Sequence, residues 1–380
     1  MTRIFYSTIL LSCFLLASCA HHKKSNDKLP QLPEVKSEVS AKPVWSNTEG
    51  AGVGKQTYLD LMPTLHDNVL YASDAKGRVF AINATHGKTM WSTRVKAPIA
   101  TGTAVGDGIV AVGTSDARVI AFQQKTGKEI WQATLSNEVL AAPVIAHQHV
   151  LVKTVDGKVY ALNPQNGSVT WMYDHGAPSL ILRAVSSPVV AGDKIVAGFS
   201  DGQLDVLSSD GKLIWQKSLA QPMGSTAVEQ MVDINADPVV VNGVVYVTTF
   251  QGNIGAYALH SGELLWEDKM SSYSGLALNQ EQVFTSDEHG DVWALDRSSG
   301  KTFWKQVQLK GRTLTAPALL ENNVIVGDQE GHIHFLSEND GHFKGRVQVN
   351  SSAIVTTPIV NGKMFYVMTA NGNLVAYRMG

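Results

Sequence analysis

The sequence predicts an all-β chain closed into an eight-bladed β-propeller of four-stranded antiparallel blades. Three observations predict it: a turn glycine recurring about every 40 residues, a Trp some fourteen residues behind it, and a last repeat one strand short. The stretch Pro143 to Trp171 shows the unit most clearly. Pro143-Val144-Ile145 opens a short strand, and Val150 to Thr154 is a second, rich in β-branched residues. Asp156-Gly157 is the hairpin turn between it and a third strand, Lys158 to Leu162. Asn166-Gly167 then turns the chain into a fourth strand that carries Trp171. Such a meander cannot bury both of its faces alone, so it needs neighbours of the same kind.

The turn glycine recurs at Gly77, Gly157, Gly202, Gly252, Gly290, Gly331 and Gly372, with Ala117 in one variant copy. Ahead of it lie Pro63, Pro143, Pro188, Pro238, Pro317 and Pro358, replaced by Thr103 and Leu276 in two copies. Behind it lie Trp91, Trp131, Trp171, Trp215, Trp266 and Trp304, while the seventh copy has Gly345 in that place. One large ring at a fixed place on each outer strand reads as a packing wedge between blades, each burying about 150–250 Å². The eighth copy stops after its third strand, Leu374 to Tyr377. Lys42-Pro43-Val44-Trp45 reads as the missing fourth strand, so the N-terminal strand is expected to complete the last blade and close the ring.

With 380 residues, 44% of them hydrophobic, the chain can bury a large core, and the repeat makes that one closed domain. A formal net charge of -2 argues against nucleic acid as a main partner, which needs a basic surface. No run beyond the N-terminus is long and apolar enough to span a bilayer. Arg3 followed by the apolar run Ile4 to Ala17 reads as an export signal. Leu16-Ala17-Ser18-Cys19 resembles the lipobox of bacterial lipoproteins. That resemblance implies a diacylglyceryl group on Cys19, with Ala20 implying sorting to the outer membrane, facing the periplasm. The expected organisation is a signal peptide over 1–18, a lipidated N-terminus and flexible tether over 19–41, and the propeller over 42–380. Cys13 leaves with the signal and Cys19 takes lipid, so the mature fold has no disulfide and no thiol nucleophile.

Motifs such as VYALN and VWALD…SGKTFW resemble the repeats of pyrroloquinoline-quinone dehydrogenases. In that family a vicinal disulfide stacks on the quinone, and Glu, Asn and Asp bind calcium. This chain has no Cys pair, and Asp156, Asp201 and Asp210 precede Gly in hairpins, which is a turn role. No catalytic residue and no cofactor are therefore assigned. His147 and His149, and likewise His332 and His334, are spaced to share one side of a strand. Two ligands without a third and fourth do not make a metal site, so none is assigned.

Function is then expected where the ring departs from its repeat. The interval from the Trp to the next opening position is 17 residues after Trp171 and 23 after Trp215, against 12 after Trp91 and Trp131, 10 after Trp266 and 13 after Trp304. Both insertions emerge on one face, on neighbouring blades, which marks a binding surface. The first carries Leu180, Ile181, Leu182 and Arg183; the second runs through Met231-Val232-Asp233-Ile234. These apolar residues either present a partner surface or fold back onto the blade beneath.

Lipobox, tether, split last blade and the SLILR and VDINADPVVVNG loops together resemble the BamB family. These are scaffold lipoproteins of the machine that inserts β-barrel proteins into the bacterial outer membrane. The resemblance implies contact with the periplasmic POTRA region of the BamA insertase through Leu180, Leu182 and Arg183. It further implies the machine's other lipoproteins as partners, with unfolded outer-membrane proteins as an additional class. Asp233 matches the first member of the family's acidic pair, whereas Asn235 stands in place of the second and leaves a two-carboxylate role open. A divergent quinone-dependent dehydrogenase and a propeller binding cell-envelope polysaccharide stand as the alternatives.

Overall fold

The computed structural model describes residues 29–54, 59–178, 186–220 and 231–380. Its strands form eight four-stranded antiparallel sheets, each a meander in chain order except the last. In blade three, Val144–Ala146, His149–Lys153, Lys158–Leu162 and Val169–Asp174 run from the innermost strand to the outermost. The middle two strands are buried on both faces, which is why they read as continuous apolar runs. The outer strand alternates between exposed and half-buried residues. Each hydrophobic cluster joins two blades. One packs Tyr71, Val79 and Ala81 of blade one against Val110, Val112, Ile120 and Phe122 of blade two.

A Trp and a glycine, with a hydrogen bond from the indole, latch six of the eight blades to the next. The indole of Trp131 lies over Gly167 of blade three, where an added Cβ would fall 2.5 Å from the ring. Its Nε1–H donates to the carbonyl of Pro164 at 2.8 Å. The same pair of contacts joins Trp45 to Gly87 and Ala84, Trp91 to Gly127 and Gln124, and Trp304 to Gly341 and Glu338. Trp215 and Trp266 repeat it. The wedge expected from the sequence is thus a wedge with a hydrogen-bonded tip.

The N-terminal strand Ala41–Asn47 pairs antiparallel with Leu374–Met379 and completes the eighth blade, as the split repeat requires. It copies the other outer strands closely. In every blade the outer strand bulges at the residue before the Trp position, and Val44 supplies that bulge here. The bulged residue turns outward, leaving Val44, Met90, Ile130, Ile214, Leu265 and Phe303 between 43% and 56% exposed. Gly345 in blade seven now has a reason. A Trp there would need a third-to-fourth turn in blade eight, and that turn does not exist because its two strands come from opposite ends of the chain.

Two readings of the sequence are corrected. Residues 19–41 read as a flexible tether, but from Leu29 onward the chain lies against blades six and seven. Pro30 and Pro33 accept hydrogen bonds there, and the amides of Glu38 and Val39 both donate to the Lys344 carbonyl. The Pro-rich composition that suggested freedom supplies backbone carbonyls with no competing amides. His147 does not share a strand side with His149. It sits in the turn between two strands with φ +51°, and only His149 is in the ladder. The turn rule also bends once: in blade five the left-handed residue is Gln251, one place before Gly252.

Replacing Trp131, 8% exposed, by Ala removes both the ring and its hydrogen bond. The expected loss is about 3–5 kcal/mol in denaturant unfolding, with the ring still assembled. A loss below about 1 kcal/mol would show that the latch adds little beyond strand pairing.

Candidate functional site

Both long insertions leave and return on the ring face that carries the blade-to-blade connections. Their cores, residues 179–185 and 221–230, and with them Leu180, Leu182 and Arg183, lie outside the described residues, as does Cys19. Their bases are well defined. Ser187, where the first insertion returns, donates its amide to the carboxylate of Asp237 at 2.6 Å, where the second returns. This bond staples two neighbouring insertions together at their roots.

Beneath the staple lies Lys153, 2% exposed at the end of the second strand of blade three. Other copies carry an uncharged residue in that place: Ser73, Gly113, Gly198, Thr248, Ser286 and Gly327, all small, and Met368 in blade eight. The ammonium donates to Ser186 Oγ at 3.1 Å and to the Gly198 carbonyl, on the neighbouring blade. Burial pulls it down to about 8, while the negative charges of Asp233 and Asp237 work the other way and keep it protonated at neutral pH. Asp233 itself is 2% exposed, and the Phe250 amide bonds its backbone carbonyl at 2.8 Å. Asn235 is half-buried two residues on. The side chain of Asp237 touches solvent, yet the protein crowding around it raises its carboxyl, against the pull of Ser187 and Lys153.

The outgoing side of the first insertion is held by a second cluster. His175 directly precedes the insertion, with Nδ1 2.6 Å from Asp205 and Nε2 3.0 Å from Asp201, both on blade four. Its ring stacks on Phe199 at 3.8 Å, and Tyr173 donates to Asp205 at 2.7 Å. Burial opposes the imidazolium, but the hydrogen bonds to the two carboxylates outweigh it and push His175 up to about 9. The same position holds Val95, Leu135, Leu219, Met270 and Val349 in five other blades, with Gln308 in blade six and Glu49 in blade eight. Here too the blade latch is altered. The third-to-fourth turn of blade four is one residue shorter, and the buried Trp171 Nε1–H finds no acceptor among the described residues. A charged clasp thus joins the seam where the indole bond is missing.

Sequence reasoning found the two insertions but not Lys153, His175, Asp205 or Asp237. The signal was present as substitutions at fixed repeat positions. Asp205, for instance, stands where other copies have Phe80, Ile120 and Tyr160. His332 and His334 do share a strand side, as read, with ring centroids 5.9 Å apart. Asp328, Glu330 and His332 bring ligand atoms within 4.8 Å of one another, but Arg312 Nη1 sits 2.8 Å from Asp328 and 2.7 Å from Glu330. A guanidinium neutralises the cluster that a cation would need. A groove of about 650 Å³ lies on the outer wall between blades five and six, lined by Tyr246, Leu265, Trp266, Arg297 and Phe303. Its Asp296 is spent on capping its own turn at Ser298 and Ser299.

The family model for outer membrane protein assembly factor BamB matches residues 37–100 and 75–306. The assembly factor of that name from Legionella pneumophila is 47% identical over 96% of this chain and 97% of its own length. That of Pseudomonas aeruginosa is 43% identical over 98% of each, and that of Escherichia coli 37% identical over 93% and 94%. Among solved structures, BamB from Moraxella catarrhalis superposes with a TM-score of 0.81 at 24% identity, covering 89% of this chain and all of that one. A quinohemoprotein alcohol dehydrogenase from Comamonas testosteroni reaches 0.71 at 13% identity, covering 89% and 76%. At those identities the two structures speak for the architecture alone.

The His175 clasp gives a pH dependence of definite sign. Its folded pKa of about 9 lies above the unfolded value, so its stabilisation is full below about pH 6.5 and is lost as pH rises towards 9. The melting temperature is expected to drop by about a few degrees between pH 7 and 9.5. His175→Gln should flatten that drop. An identical pH profile in the variant would show that the clasp is not a charged one.

Proposed function

The chain belongs to the BamB family of outer membrane protein assembly factors, and on that premise we propose that it is a non-catalytic scaffold lipoprotein. It is anchored in the outer membrane through Cys19 and faces the periplasm. Its partner is the periplasmic POTRA region of a BamA-like insertase, alongside the other lipoproteins of the machine. Unfolded outer-membrane proteins are a further ligand class. The observation that carries this reading is the stapled root of the two insertions: Ser187 to Asp237 above the buried Lys153. Long loops rooted this firmly in a stiff ring are suited to presenting a fixed surface to another protein.

Within that surface, Leu180 and Leu182 are the proposed apolar contacts, spaced as two side chains on one side of an extended chain would be. Arg183 at its end can grip a carboxylate in bidentate geometry. Asp233 is buried, so its part is to hold Lys153 charged under the second insertion rather than to touch the partner. Asn235, half-buried two residues on, can donate and accept hydrogen bonds but supplies no second negative charge. The dehydrogenase likeness offers architecture, and the vicinal disulfide of that chemistry has no counterpart after Cys19.

Truncating an interface anchor costs about 2 kcal/mol or more, roughly thirtyfold in affinity. Replacing Leu180 and Arg183 together by Ala should abolish co-purification of the insertase while the melting temperature stays nearly unchanged. An unfolded double variant would make the loop part of the core; a stable one that still binds would move the interface elsewhere. Cys19→Ala should leave an unprocessed chain that takes up no palmitate, and normal labelling of that variant would remove the anchor assignment.

A further inference from the structure

We propose that residues 29–40 form a strap gripped by the ring, which fixes where the membrane-anchored end of the chain leaves the propeller. The grip is a closed hydrogen-bond circuit. Arg312 Nη2 donates to the Pro30 carbonyl at 3.2 Å, and Arg346 Nη1 donates to the Pro33 carbonyl at 3.1 Å. Between the two guanidiniums, Arg312 Nη1 donates to Asp328 at 2.8 Å. His334 Nε2 lies 2.9 Å from the same carboxylate, and Arg346 Nε donates to His334 Nδ1 at 3.1 Å. His334 can accept from Arg346 and donate to Asp328 only as the neutral Nε2–H tautomer. Asp328 and His334, in the middle of the circuit, are fully buried, so each is paired by necessity.

Apolar contacts and sheet-edge bonds extend the grip. Leu32 packs on the cluster that includes Phe284, Leu309 and Leu314. Glu38 and Val39 donate to the carbonyl of Lys344, the bulged residue of the outer strand Phe343–Gln348. Val39 fills the space above Gly345, where an added Cβ would meet its side chain at 2.9 Å. The strap therefore occupies the one blade position that lacks a Trp. Arg312 and His334 depart from the repeat just as the clasp residues at His175 do, but they face the N-terminal segment instead of the insertions.

The consequence concerns the bilayer, and this half of the proposal rests on the Cys19 anchor. A tether free to residue 41 would reach about 80 Å, but only the ten residues from Cys19 to Leu29 remain outside the strap, a reach of about 35 Å. Arg312 lies in the connection between blades six and seven, on the face that bears the insertions. That edge of the ring is therefore the one held towards the lipid surface.

Hydrogen exchange on the full-length processed lipoprotein in mild detergent tests the grip. The Glu38 and Val39 amides should exchange at least a hundredfold slower than in a free peptide. Leu32→Ala with Val39→Gly, which leaves both guanidiniums in place, should speed them at least tenfold without changing blade two. Free-peptide rates in the unaltered protein, or no change in the variant, would overturn the strap. Orientation is tested in vesicles of phosphatidylethanolamine and phosphatidylglycerol with spin-labelled headgroups, using a fluorophore at Lys310→Cys or at Lys125→Cys. The label at 310 should be quenched at least twofold more, and the strap variant should erase the difference. Equal quenching in the unaltered strap would overturn the orientation. Failure to associate with vesicles at all would overturn the anchor and the orientation with it, while the exchange rates would still decide the grip.

Discussion

Everything in this ring depends on one contact: an indole laid over a glycine of the next blade, with its N–H seated on a neighbouring carbonyl. The strands of a blade bond only to one another, so the backbone ladder supplies no force between blades. Side chains must do that work, and the Trp is the largest of them. The contact is geometric as well as apolar. The glycine has a positive φ and no side chain, and the ring needs both, since a Cβ at Gly127 would fall 2.3 Å from Trp91. Where the latch is intact the seam is ordinary. Where it is damaged, something else has been built.

It is damaged at two seams. Between blades three and four the shortened turn costs Trp171 its acceptor, and a charged His175 between two carboxylates joins the blades. Between blades seven and eight the ring closure removes the receiving turn, Gly345 replaces the Trp, and the N-terminal segment covers the gap. The two histidines make an instructive pair. His175 has two carboxylates and solvent nearby, and its pKa rises. His334 is deeply buried, with one carboxylate and the Arg346 guanidinium against it, and its pKa falls. The same residue type serves as a cation in one seam and as a neutral relay in the other.

The fold was legible because a propeller writes its constraint once per blade. Eight glycine positions and the unmatched strand around Trp45 are enough to count blades and close the ring. The insertions were legible as lengths. Lys153, Asp237 and the His175 clasp were not, because each is a contact between one repeat and the next that the repeat pattern does not dictate: 153 with 186, 187 with 237, 175 with 205. A single polar residue in an apolar column says that a partner exists without saying where. The strap was misread for a related reason. Leu29 to Ser40 has the composition of a linker, and its partners lie some 300 residues away.

In a ring of eight, the seam between blades three and four and the joint between blades six and seven, where Arg312 holds Pro30, stand three joints apart. One is the root of the insertions; the other is where the strap runs. On the anchoring and binding face proposed above, the propeller would be a rigid strut set crosswise, with its moored end and its working end on different sides of the ring. A body held this way would keep its insertion-bearing face at a constant standoff from the bilayer. Any tilt about the mooring is magnified into travel of the far rim, as at the end of a lever.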